Sequence, residues 1–120
     1  MKTVLVIDDD TFIRDFYSRL LESRGFSVTA AENGMEALKL CYGRKEPFDI
    51  AIIDWIMPVM TGEAVKKHLE EKYPDMPIII ASGSVDPAEV QLRENQVFLL
   101  KPFSVNDLIK TIGLLSPEGA

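Results

Sequence analysis

The chain has 120 residues, 47% of them apolar, which is enough for one cored domain and too little for two. Its 13 Lys and Arg against 19 Asp and Glu leave a formal net charge of −6, which argues against a nucleic-acid backbone as a direct partner, because such binders present a basic patch. Apolar runs such as Val4 to Ile7 fall far short of the roughly 18 residues that cross a bilayer, so no membrane partner is expected. The single Cys41, with no leader-like segment ahead of the first strand, suits a reduced, cytoplasmic setting.

Lys2 to Ile7 is rich in β-branched residues and stops at three consecutive aspartates, the pattern of a strand buried on both faces and ending in a loop. From Asp10 to about Arg24, Phe12, Ile13, Phe16, Leu20 and Leu21 recur at three- and four-residue spacing. Asp10 reads as the cap that starts this amphipathic helix and Gly25 as the residue that ends it. Phe26, Val28 and Ala30 alternate with Ser27 and Thr29 as a second strand. Asn33-Gly34 then breaks the run, and Met35, Ala37, Leu38 and Cys41 resume helical spacing up to Gly43.

Asp49 to Ile53 is a third strand, followed by Asp54. Turn chemistry from Met57-Pro58 to Thr61-Gly62 leads into a helix from about Glu63 to Lys72. Pro77 to Ala81 and Val97 to Leu100 read as strands four and five, and Val105, Leu108, Ile109 and Ile112 as a last helix capped by Ser104. Between those strands, Asp86-Pro87 can open a helix, but so few residues remain before Asn95 that it must be short or irregular. Residues 116–120 read as a tail or linker stub. Helix and strand alternate throughout, which implies right-handed crossovers and a three-layer α/β domain with a parallel sheet.

Ligands of open α/β sheets sit beyond the carboxyl ends of the strands, so the residues just past each strand are the candidates. They are Asp8, Asp9 and Asp10 after strand one, Asp54 after strand three, Ser82-Gly83-Ser84 after strand four and Lys101-Pro102 after strand five. Converging carboxylates repel one another and raise each other's pKa unless a cation stands among them. Hard oxygen donors with no His or Cys nearby favour Mg²⁺. Asp54 could then act as a nucleophile on phosphorus, with the metal and Lys101 balancing the phosphoryl oxygens and Ser82 donating a hydrogen bond.

These residues resemble the receiver domain of two-component response regulators, from Val4 to about Leu115. Asp54-Trp-Ile-Met-Pro-Val-Met-Thr-Gly62 is similar to that family's phosphoacceptor signature. Val4 to Asp9 is similar to its first strand with the acid pair, and Leu99-Leu-Lys-Pro-Phe103 to its fifth strand with the Lys-Pro dipeptide. The resemblance implies a flavodoxin-like sandwich, a five-stranded parallel sheet in the order 2-1-3-4-5 with five helices, the fourth short or irregular. It implies phosphorylation at Asp54 and Mg²⁺ held by Asp9, Asp54 and the backbone carbonyl of Ile56, with Asp8 acting through water. Lys101 would contact the phosphoryl group across a cis bond to Pro102, and Ser82 and Phe98 would be the switch residues. The partners implied are a sensor histidine kinase or phosphotransfer protein and a downstream protein or fused output domain, met through helix four, strand five and helix five, with phosphorylation-linked dimerisation as a further use of that face. Such a domain catalyses only its own phosphorylation and dephosphorylation.

Two departures stand out. The stretch from Ser82 to Lys101 is shorter than the family's, and the missing length falls on helix four. Ile56, two residues after Asp54, is apolar and cannot orient a water, which predicts slow self-dephosphorylation. Two other functions compete: a receiver that docks or dimerises without ever carrying phosphate, and a metal-dependent phosphatase built on Asp8-Asp9-Asp10. The second lacks the Thr or Val that phosphatases of that type place where this chain has Phe12. Trp55, His68 and Cys41 read as a loop-packing aromatic, a solvated side chain and a core residue. Glu22, Glu36, Glu70, Glu71 and Glu94 read as ordinary solvated helix surface.

Overall fold

Runs of β-branched and apolar residues become strands here because both faces of the three central ones are covered, and pleated surfaces pack branched side chains well. The computed structural model describes residues 2–115. In chain order the elements are β1 (Thr3–Ile7), α1 (Thr11–Ser23), β2 (Ser27–Ala31), α2 (Gly34–Tyr42), β3 (Ile50–Asp54), α3 (Gly62–Lys72) and β4 (Ile78–Ser82). A 3₁₀ turn (Pro87–Glu89), β5 (Gln96–Leu100) and α4 (Val105–Leu115) complete them. All strand pairs are parallel and the sheet order is β2-β1-β3-β4-β5, with Ile7 opposite Ile53, Asp54 opposite Ala81 and Ser82 opposite Leu100.

Alternate residues along the strands face opposite layers. Leu5, Ile7, Ala51, Ile53, Ile78 and Ile80 pack against Ala37, Leu38 and Cys41 of α2 and Val65 and Leu69 of α3. Val4, Val6, Ile50, Ile52 and Ile79 pack against Tyr17 and Leu21 of α1 and Leu108 and Ile112 of α4. Helix starts follow from side-chain caps that satisfy the first free N–H groups. Asp10 accepts from Phe12 and Ile13 N–H, Asn33 from Glu36 N–H, and Thr61 from Ala64 N–H, while Ser104 and Asp107 cap each other's backbone N–H groups. After α1 the chain passes through Gly25 at φ +90°, a conformation that side-chain-bearing residues resist.

The described residues hold four α-helices and one 3₁₀ turn, so the short or irregular fourth helix is a single turn. Asp86 accepts from Ala88 N–H at 3.0 Å and Pro87 fills the first position, but Val90 is the one residue buried between the turn and Asn95. A helix there would have had almost no apolar face to dock. Glu70 corrects the reading of α3's acids as solvated surface. Its side chain is 11% exposed, with Lys66 Nζ at 2.6 Å and Gln96 Nε2 at 2.7 Å from its Oε2. The expected tail at 116–120 lies outside the described residues. Among the described residues no helix is long and apolar enough to cross a membrane.

Candidate functional site

Parallel strands end on one edge of the sheet, and that geometry gathers the candidate residues. Asp8 leaves β1 buried, with its N–H donated to the Ala31 carbonyl at 3.2 Å, while Asp9 beside it is exposed. Asp54 is the last residue of β3. One carboxylate oxygen from each of Asp8, Asp9 and Asp54 lies within 4.8 Å of the other two. From the far side of the sheet, Lys101 Nζ reaches 3.4 Å from Asp8 Oδ2 and 3.5 Å from Asp54 Oδ1. The Lys101 backbone N–H is tied to the Ser82 carbonyl at 2.9 Å, and the Lys101–Pro102 bond is cis.

Burial pushes the Asp54 carboxyl up to about 6. The negative charge of Asp8 and then Asp9 adds to this, while Lys101 pulls the other way. One ammonium, in contact with two of the three clustered carboxylates, therefore does not balance them. The unbalanced charge, the all-oxygen donor set and the convergence within 4.8 Å fit a hard divalent cation such as Mg²⁺, which takes one or two carboxylates and completes its shell with water. The same negative field reaches Tyr17 of α1, whose hydroxyl is raised by burial first and by Asp8 and Asp54 second. Its ring stacks on Phe103 at 5.9 Å, bracing the segment that follows Lys101-Pro102.

Ser82 closes β4 at 2% exposure, and its Oγ accepts from Ser84 N–H at 3.3 Å. Phe98 does not join the acidic cluster. It lies half-buried in β5, against the core layer shared with α2 and α3. The turn after Asp54 is set by backbone contacts: Trp55 N–H donates to the Ala81 carbonyl, and Gly62 N–H to the Trp55 carbonyl at 3.0 Å. A Cβ at Gly62 would stand 2.6 Å from both the Asp54 carbonyl oxygen and Trp55 Cα, so only glycine lets α3 begin this close to Asp54. Ile56 is 59% exposed, and Val59 holds φ +72°.

Sequence reasoning missed two features. The first is the Lys66, Glu70 and Gln96 cluster, for which the Lys66/Glu70 four-residue spacing was the available signal. The second is Arg14, whose Nη1 donates to the Asp8 carbonyl at 2.7 Å. A cation one turn into a helix looks like solvated surface unless the turn is known to fold back over the acids.

The sequence profile described as the response regulator receiver domain matches residues 4–113. The chain belongs to the response regulator receiver family. It is 33% identical over 116 residues to the response regulator receiver protein CpdR of Brucella abortus, covering 93% of this chain and 94% of that one. It is equally 33% identical, over 117 residues, to the sensor kinase CckA of the same organism; there the match covers 92% of this chain but spans only 12% of the kinase. The response regulator protein TrrA from Thermotoga maritima, solved in complex with Mg²⁺-BeF, superimposes with a TM-score of 0.86 at 29% identity, over 96% of this chain and 99% of that one. In this receiver domain, the pocket of Asp8, Asp9 and Asp54 corresponds to the family's phosphoacceptor site.

Proposed function

We propose that Asp54 receives a phosphoryl group from a histidine kinase or phosphotransfer protein and that the domain transmits the resulting change through the turn, β5 and α4. The observation that carries this is the placement of Lys101 Nζ at 3.5 Å from the one carboxylate that ends a core strand, with two further acids beside it. An Asp54 oxygen would attack phosphorus in line as the bond to the donor nitrogen breaks, leaving an acyl phosphate. Lys101 would exchange its contact with Asp54 for the new phosphoryl oxygens.

Asp9, Asp54 and the Ile56 carbonyl would hold Mg²⁺, with Asp8 acting through water; when bound, the ion neutralises negative charge on the transferring group. Ser82, at the end of the neighbouring strand, would donate its hydroxyl to the phosphoryl group and draw the start of the β4–β5 connection inward, and Phe98 would turn into the space released. Leu92, Leu100 and Leu114, 43%, 54% and 81% exposed, support a protein-contacting role for that side of the molecule, including contact with a second copy. The free thiol of Cys41, buried in the core, suits work in the cytoplasm. Turnover is confined to the domain's own phosphorylation and dephosphorylation, and the whole chain is read as one receiver domain.

Incubation with a small acyl phosphate and Mg²⁺, followed by intact-mass spectrometry, tests this reading. The expected result is a gain of one phosphoryl group that Asp54→Asn abolishes. No gain, or a gain that survives Asp54→Asn, overturns it and leaves docking without phosphate as the function. Steady hydrolysis of a generic phosphomonoester would instead favour the phosphatase.

A further inference from the structure

The peptide unit joining Asp8 to Asp9 is held from the helix that follows it. Its carbonyl oxygen, that of Asp8, accepts from Arg14 Nη1 at 2.7 Å, while Nη2 of the same guanidinium donates to Thr11 Oγ1 at 3.1 Å. Asp10 closes the segment from the inside. Its N–H donates to Asp8 Oδ1 at 2.9 Å, its side chain caps α1, and its carbonyl accepts the Arg14 N–H at 3.0 Å. The tilt of the Asp8–Asp9 peptide plane enters ψ of Asp8 and φ of Asp9, the torsions that orient the two Cα–Cβ bonds, so a clamp on that plane restricts how the two carboxylates are presented.

We infer that Arg14 is a positioning residue for the metal site. By clamping the Asp8–Asp9 peptide it keeps the exposed Asp9 carboxylate turned toward Asp54. This rests on the reading of Asp9 and Asp54 as Mg²⁺ ligands given above. The guanidinium suits the task because its planar fork serves two acceptors from one rigid group, whereas an ammonium presents a single point of charge. The sign of the effect separates positioning from mere charge. A cation beside a metal site repels the metal, so by Coulomb's law alone removing Arg14 would tighten Mg²⁺ binding. Loss of the clamp predicts the opposite.

The test uses the full chain, with its single Trp55, next to Asp54, as a fluorescence reporter of Mg²⁺. Arg14→Met is expected to weaken Mg²⁺ binding roughly tenfold, the lower end of what loss of a ligand-orienting hydrogen bond costs. Arg14→Lys, which keeps the charge and loses the fork, is expected to fall between Arg14→Met and the wild type, and it serves if Arg14→Met does not fold. Amide exchange without metal is a second readout: Asp10, whose N–H donates to Asp8 Oδ1, should exchange faster in both variants while Ile52 and Ile53 of β3 stay protected. Mg²⁺ binding by the variants that equals or exceeds the wild type's overturns the inference while leaving Asp54's role standing. A wild-type chain with no Mg²⁺ response overturns the metal reading itself, and this inference with it.

Discussion

Gln96 Nε2 donates to Glu70 Oε2 at 2.7 Å, tying the first residue of β5 to the last full turn of α3. The same Glu70 oxygen takes Lys66 Nζ at 2.6 Å and lies 3.6 Å from Arg93 Nε. In this domain the β4–β5 connection holds one 3₁₀ turn and no helix, and the cluster anchors its returning end through polar contacts. Burial raises the Glu70 carboxyl, but hydrogen bonds from Lys66 and Gln96, aided by the charges of Lys66 and Arg93, hold it below its ordinary value of 4.5. A carboxyl lowered in the native state adds stability above its unfolded value and loses it as pH falls through the native one. Glu70→Gln should therefore cost about 2 kcal/mol at pH 7, and the deficit should shrink below pH 4.5. Urea midpoints of the two chains across that range check it; a deficit that does not change with pH contradicts it.

Asp54 carries the opposite sign. Its native carboxyl is raised from 3.8 to about 6, so in the metal-free chain its contribution to stability is fully present below 3.8 and lost as pH rises through 6. In EDTA, Asp54→Asn should be more stable than the wild type at pH 7.5, by about 3 kcal/mol at most, and the two should converge toward pH 4. Addition of Mg²⁺ should stabilise the wild type alone. Thermal melts at three pH values distinguish this from a substitution that merely loses the Lys101 contact, which would destabilise at every pH above the carboxyl's titration.

Val59, 83% exposed and at φ +72°, is a β-branched residue in a region that such side chains resist. Replacement by Asn, which tolerates that conformation, should raise stability by about 1 kcal/mol. A melting temperature unchanged or lowered in Val59→Asn would show that the valine makes contacts worth more than its backbone cost.

Gly62→Ala places a methyl 2.6 Å from backbone atoms of Asp54 and Trp55 that have little freedom to move. The substitution should cost about 3 kcal/mol and displace Asp54, so Mg²⁺ affinity should fall along with the urea midpoint. At Gly34 the added methyl meets the side chains of Val65 and Met60, and Met60 can adjust. Gly34→Ala should leave Mg²⁺ affinity closer to wild type.

Ile56 bears on the lifetime of the signal. An apolar side chain at that position offers a water neither donor nor acceptor, so the phosphorylated chain should be long-lived in Mg²⁺ buffer, and Ile56→Asn should shorten its half-life severalfold. Loss of the phosphoryl group is followed by intact mass. Decay of the wild type within seconds contradicts the expectation.

The strands and the site they carry were legible because buried parallel strands announce themselves as β-branched runs and their carboxyl ends share one edge. Asp8, Asp54, Ser82 and Lys101 could therefore be placed together without coordinates. Helix caps at Asp10 and Ser104 were legible for the same local reason. Glu70 was not, since a four-residue Lys/Glu spacing is common to solvated helix faces and to buried ion pairs, and only the contact of Gln96, from β5, with Glu70 distinguishes them. Arg14 escaped because its partner is a backbone carbonyl, which no side-chain pattern encodes. Val59 escaped because its conformation is imposed by the turn around it.

Lys101 and Asp8 stand 93 positions apart in the chain, yet their side chains meet at 3.4 Å. The strands that bring the three acids together, β1 and β3, are paired with each other, whereas the ammonium follows β5, two strands further along the sheet. The amine arrives only when β5 is laid beside β4 and closes the sheet. The balance of charge at the site is thus a property of the whole sheet and of no local segment, since it needs β5 seated beside β4.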